Sequence, residues 1–135
     1  MLNKTLIRES FDYDTYEKER MVYVGKLLSF ENNLYKFSFK VDESVMRLEM
    51  KFDNDKCFIK QFYPSSKCEF TLSLNKKEKY FLELNNSYKL FFITEASLIK
   101  HDDLQIKLKY NLFDENSKRV ISFNEITIIG DDEVC

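Results

Sequence analysis

Residues Val45-Met46-Arg47-Leu48-Glu49-Met50-Lys51-Phe52 decide the fold class. Met46, Leu48, Met50 and Phe52 alternate with Val45, Arg47, Glu49 and Lys51. Successive side chains of a strand point to opposite faces, so this segment has one apolar face and one largely charged face. A helical period of 3.6 would scatter the charges onto the apolar side.

The same alternation recurs on both sides of this stretch. Phe37, Phe39 and Val41 alternate with Lys36, Ser38 and Lys40; Phe70, Leu72 and Leu74 with Glu69, Thr71 and Ser73; Leu104, Ile106, Leu108, Tyr110 and Leu112 with Gln105, Lys107, Lys109 and Asn111. Turn signals separate the segments: Glu31-Asn32-Asn33, Asp42-Glu43-Ser44, Asp53-Asn54-Asp55, Pro64-Ser65-Ser66, Asn75-Lys76-Lys77 and Asn85-Asn86-Ser87. Their centres, at 32, 43, 54, 65, 76 and 86, are 10 or 11 residues apart. That is the rhythm of an up-and-down meander, and Asn and Asp suit its turns because they tolerate positive φ.

The spacing predicts strands at 2–10, 21–30, 34–41, 45–52, 56–63, 68–75, 79–85, 88–99, 104–113 and 119–129. Ten antiparallel strands laid flat would leave two exposed edges; closure into a barrel removes both. The expected fold is therefore all-β, a single antiparallel up-and-down barrel over residues 1–130, followed by an acidic tail, Asp131-Asp132-Glu133-Val134-Cys135. Phe11 to Arg20 is less regular and reads as a loop or one short helix near residues 12–19 across a barrel mouth. Gly25, inside a predicted strand, reads as a bulge or bend.

At 135 residues the chain is one domain's worth of protein. It is 44% hydrophobic and 33% charged, and no apolar run reaches the length of a membrane-spanning helix, which points to a soluble globule. Two glycines exclude the dinucleotide fingerprint and the P-loop, whose backbones approach phosphate only through several glycines. A net charge of -2 gives no global attraction to nucleic acid or to anionic membrane. The N-terminus, with Lys4, Arg8 and Glu9, lacks the apolar core of a secretory signal. Cys57, Cys68 and Cys135 make an odd set without zinc-knuckle spacing, so reduced thiols in a cytoplasm fit best, and no cofactor or metal is expected.

Several segments together resemble a known family. They are Gly25-Lys26-Leu27-Leu28-Ser29-Phe30 followed by Asn32-Asn33-Leu34-Tyr35, then Leu90-x-Phe92-x-Thr94-x-Ala96, Ile106-x-Leu108-x-Tyr110-x-Leu112 and Asn124-x-Ile126-x-Ile128. In order and spacing, from about residue 21 to 129, they resemble the YwiB family of small bacterial proteins with a lipocalin-like, calycin-type barrel. The resemblance implies that fold and a bacterial cytoplasmic setting, and brings no established activity. The chain departs from the family pattern at Phe37 and Phe39, where tyrosines are expected, and at Lys60 and Gln61, where an arginine is expected.

Few residues suggest catalysis. Ser97-Leu98-Ile99-Lys100 spells S-x-x-K, but that chemistry needs a helix and a K-T-G partner, and here the tetrapeptide falls in a strand. His101-Asp102-Asp103 offers an imidazole beside carboxylates, yet it also reads as a polar turn. Asp53-Asn54-Asp55 and Asp114-Glu115-Asn116 read as turns, since the glycine and closing glutamate of a calcium loop are missing. Cys57 and Cys68 fall on neighbouring strands and would be small buried hydrophobes, or an oxidisable pair if they face each other. Tyr13, Tyr16 and Tyr23 are expected to pack together at a barrel end. No catalytic residues are assigned, and a non-enzymatic protein is expected.

The apolar inner face is the remaining candidate. Phe37, Phe39, Met46, Leu48, Met50, Leu90, Phe92, Leu108 and Tyr110 would either fill the barrel or line a site for a small apolar ligand. The alternative is a filled barrel acting as a protein or nucleic-acid interaction module. Its outer face would carry Lys36, Lys40, Lys51, Lys56, Lys60, Lys67, Lys76, Lys77 and Lys79 among aromatics, with nucleic acid disfavoured by the missing basic excess. No membrane partner is expected.

Overall fold

A computed structural model describes residues 2–85, 87–102 and 104–130. The acidic tail, Cys135 and Asp103 of the expected polar turn lie outside the described residues. The chain forms ten strands: β1 (Leu2–Asp12), β2 (Lys18–Glu31), β3 (Leu34–Val41), β4 (Ser44–Asp53), β5 (Lys56–Tyr63), β6 (Ser66–Ser73), β7 (Lys77–Leu84), β8 (Tyr88–His101), β9 (Gln105–Asp114) and β10 (Val120–Gly130). Each pairs antiparallel with its sequence neighbours, and β1 pairs with β10, so the meander closes into a barrel. We call the end where β1 starts and β10 finishes the upper end, and the end with the β1–β2 turn the lower end.

The turns explain how so few glycines suffice. Asn32, Asn33, Asp42, Asn54, Asn75 and Asn85 all adopt φ between 52° and 62°, and no glycine has positive φ. Asn32 and Asn33 together have the two left-handed residues of a type I′ hairpin. The wider turns open on an aspartate instead: Asp12, Asp102 and Asp114 each accept two backbone N–H bonds through Oδ1 from the residues that follow.

That device also replaces the short helix that was one expectation for residues 12–19. Asp14 N and Thr15 N donate to Asp12 Oδ1, Tyr16 N donates to Asp12 O at 2.8 Å, and Tyr16 turns left-handed at φ 59°. The strands run on to Asp12 and restart at Lys18, leaving a tight loop. Arg119 of the β9–β10 turn pairs with Asp14 across the lower rim.

Inside, register stacks the apolar residues into hoops. Leu6 lies between Tyr23 and Ile128, Phe39 between Gly25 and Met46, Leu48 between Phe37 and Gln61, and Ile59 between Met50 and Phe70. Leu6, Phe37, Phe39, Met46, Leu48, Met50, Ile59, Leu72 and Leu108 are fully buried. Near the upper end the wall also pinches. The described β6–β7 pairs run only from Ser66–Leu84 to Phe70–Tyr80, and beyond them β6 meets β8 directly. Leu74 bridges Ala96, Asn75 N donates to Ala96 O at 2.8 Å, and Thr94 Oγ1 donates to Thr71 O at 2.6 Å. Ala96, the single alanine of the chain, occupies this close approach.

Gly25 differs from the expectation of a bulge. The register shifts fall between Leu27 and Ser29, Ala96 and Leu98, and Val120 and Ser122, while Gly25 stays in ladder register with Lys4 and Phe39. Its missing side chain makes room for the Phe39 ring: a Cβ there would lie 2.7 Å from Phe39 Cδ1 and closer still to the Ser38 carbonyl oxygen.

Candidate ligand sites in the barrel

The nine inner-face candidates lie on the inner face by register, but they do not share one cavity. Phe37, Phe39, Met46, Leu48, Met50, Leu108 and Tyr110 belong to the buried core, while Leu90 and Phe92 are half-buried. The middle of the barrel is thus filled, as close-packed interiors of bulky side chains are.

Open space remains at the upper end. A cavity of about 260 Å³ is lined by Leu2, Leu27, Phe30, Tyr35, Phe37, Ile106 and Ile128, with Lys4, Asp102 and Gln105 as its polar members. Of the nine candidates, Phe37 alone lines it. Aromatic packing builds one wall: Phe30 stacks on Tyr35 at 4.2 Å, and His101 stacks on Phe52 at 4.0 Å while its Nδ1 lies 3.4 Å from Tyr35 Oη. His101 is therefore a wall element beside the mouth. The backbone amides of Gln105 and Leu104 hold the Asp102 carboxyl below its ordinary range.

Among its apolar residues the lower half of the interior holds polar groups, one of which strand periodicity did not single out. Arg8 pairs in register with Ile126 and Met21, so its half-buried side chain shares the inner face with Leu6. Arg8 Nη1 donates to Tyr63 Oη at 3.5 Å. Burial opposes the guanidinium's charge, but the negative charge that Tyr110, Tyr63, Tyr80 and Tyr23 carry once ionised in strong alkali outweighs it and puts its pKa above the ordinary value. Burial in turn pushes Tyr110 up to about 12, with Arg8 pulling back, and raises Tyr63 and Tyr80. Buried Gln61 lies opposite Cys68.

The remaining candidates separate. Cys57 pairs with Leu72 and Cys68 with Gln61, so the two thiols are not cross-strand partners and both are free. Tyr23 faces inward in register with Leu6, whereas Tyr13 and Tyr16 are exposed and pack edge-on to Phe11. Ser97, at the β8 bulge, and Lys100 are both exposed, and Lys100 Nζ lies 4.0 Å from Asp102. Arg47 is exposed on the outer face, opposite Ser38 and Phe62.

The buried thiols give a pH dependence. Burial pushes Cys68 up to about 11, with the Tyr80 hydrogen bond and Arg8 pulling back, and burial raises Cys57 as well. Folding thus favours the protonated thiol. Its contribution is intact below pH 9, the ordinary thiol value, and is lost as pH rises through 11. Two pKa units correspond to about 2.7 kcal/mol. In urea titrations at pH 8 and pH 10.5, the wild type is expected to lose on the order of 2 kcal/mol more than Cys68→Ala. Equal losses would contradict the assignment.

Among solved structures, the chain is similar to the YwiB protein from Bacillus subtilis, with a TM-score of 0.64 over 96% of this chain and 92% of that chain at 13% identity. No family model and no curated protein matches it. No helix among the described residues is long and apolar enough to cross a membrane. With ten antiparallel strands closed into one barrel and this superposition over nearly its whole length, the chain has the fold of YwiB, as the resemblance of its segments to that family implied.

Proposed function

We propose that this protein is a non-enzymatic, lipocalin-like binding protein of the bacterial cytoplasm that holds a small, largely apolar molecule in the upper end of its barrel. The observation that carries this reading is the 260 Å³ cavity at that end, with Leu27, Phe37, Ile106 and Ile128 on its walls and Lys4 among its few polar members. Ligand sites characteristically combine an apolar lining with a few placed polar groups. The volume suits a molecule of up to three rings or a short chain. His101 supports the non-enzymatic side of the reading, since its imidazole is stacked on Phe52.

N-phenyl-1-naphthylamine, an apolar fluorescent probe, tests this. Its fluorescence is expected to rise saturably with one probe per chain. Leu27→Trp, which fills the cavity, is expected to weaken binding about tenfold, the order of ~1.4 kcal/mol. No enhancement, together with native mass spectra that show the bare chain only, would overturn the reading.

A second reading, a partner-binding outer face, is favoured by one observation. Phe58 and Phe91 are exposed, and Lys67, Lys77 and Lys89 lie 5.0 to 6.0 Å from the ring centroids of Phe62, Phe113 and Phe81. Charge reversal at these three lysines would abolish partner capture if that face is used.

A further inference from the structure

At the lower end, Arg8 brings a positive charge into the barrel with no negative charge to meet it. A guanidinium has five N–H donors, and among the described residues only the long bond to Tyr63 Oη uses one. Among the described residues no carboxylate is in ion-pair contact with it. Asp12 Oδ1 is engaged by the amides of Asp14 and Thr15. Glu19, on the same face by its pairing with Ser10, is exposed at the rim.

The surrounding groups are neutral donors. Burial keeps Tyr63, Tyr80, Tyr110 and Cys68 protonated at neutral pH. Arg8 is thus the one charged group of this cluster, and buried charges are normally paired because taking an ion out of water costs several kcal/mol. Arg8, Tyr23 and Tyr63 are half-buried and so keep some contact with solvent at this end. Next to them, under the β1–β2 turn, lies a cavity of about 380 Å³ lined by Ser10, Thr15, Ser122 and Asn124, with Lys18 and the carboxylates of Asp12, Glu17 and Glu19 at its rim. Ser10 is the next inward residue after Arg8 on β1, and Asn124 pairs with Tyr110.

We propose that Arg8, with the hydroxyls of Tyr63 and Tyr110, forms an anion-binding site at the lower end of the barrel, built for the carboxylate of a small organic acid. The guanidinium fork matches a carboxylate with two parallel N–H bonds, which a point charge such as lysine cannot offer. Phenol hydroxyls can donate to the same oxygens, and half-buried Leu82, Leu90 and Phe92 on the inner face offer apolar contact to the acid's body. The site is separate from the upper cavity, because buried Leu6 lies between Lys4 and Arg8 on the inner face of β1.

Calorimetry with benzoate and its neutral counterpart benzamide tests the proposal. The wild type is expected to bind benzoate at least about tenfold more tightly than benzamide, the scale of one charge-assisted contact. Arg8→Met is expected to bind both equally and, once relieved of an uncompensated charge, to melt about 3 °C higher without ligand. Arg8→Lys is expected to keep a reduced preference for benzoate. Equal binding of the two compounds by the wild type would overturn the proposal. So would an unchanged preference in Arg8→Met, with a lowered melting temperature marking Arg8 as structural. Should Arg8→Met fail to fold, the wild-type comparison and Arg8→Lys decide. Binding of N-phenyl-1-naphthylamine at the upper end is read separately, so either site can fail alone.

Discussion

Gly25→Ala is expected to lower the stability of the barrel by about 4 kcal/mol, at the extreme of single-residue effects. The added methyl would lie 2.7 Å from both Cα and Cδ1 of Phe39 and closer still to the Ser38 carbonyl oxygen. Two of these three atoms are backbone, so a rotamer change cannot relieve the clash. β3 must instead draw away from β2, which weakens the ladder through Lys26–Ser38 and Leu27–Phe37. A urea titration should show the midpoint falling by roughly 2 M. A shift smaller than about 0.5 M would mean that the β2–β3 pair parts easily, and would refute the close-approach account.

Phe39→Ala is expected to cost about 3 to 5 kcal/mol, the usual range for removing a buried phenylalanine. The ring is fully buried, stacks on Phe37 at 5.6 Å and covers the backbone of Gly25. Its removal leaves a void between β2, β3 and β4 that Met46, on the neighbouring strand, fills only in part. The double variant with Gly25→Ala gives a sharper test. Removing the ring relieves one of the three contacts, while the Ser38 oxygen and Phe39 Cα remain. The two losses should therefore add to within about 1 kcal/mol. Full rescue of Gly25→Ala by Phe39→Ala would show that the ring alone sets the constraint.

The strands and turns were legible because they depend on local chemistry. Left-handed φ at Asn32, Asn33, Asp42, Asn54, Asn75 and Asn85 is a single-residue preference, and the alternation at Met46 to Phe52 is a property of one segment. The bulges at Leu28, Ser97 and Ile121 were not legible, since a bulge is defined by the register of a partner strand. Gly25 was visible as a strand glycine but not as the seat of Phe39, for the same reason. Arg8 was hidden more deeply. On β1 the inward positions hold Lys4, Leu6, Arg8 and Ser10, while Ile7 and Phe11 face outward, so the strand's own pattern points neither way. Only pairing to β2 and β10 places the guanidinium inside.

The pairing of β1 with β10 also determines how this barrel must be assembled. Nine register pairs, from Lys4–Gly130 to Asp12–Ser122, join residues more than a hundred positions apart, whereas the other seams are between sequence neighbours, apart from the short approach of β8 to the end of β6 at Leu74–Ala96. During synthesis the hairpins from β1 to β9 can form as they emerge, but the sheet keeps two unpaired edges until β10 arrives. Closing a loop of that length costs chain entropy before any contact rewards it, so the last step is expected to be the slow one. The vulnerable species of this protein is thus a nearly complete curved sheet, whose edges could equally well pair with those of another nascent chain.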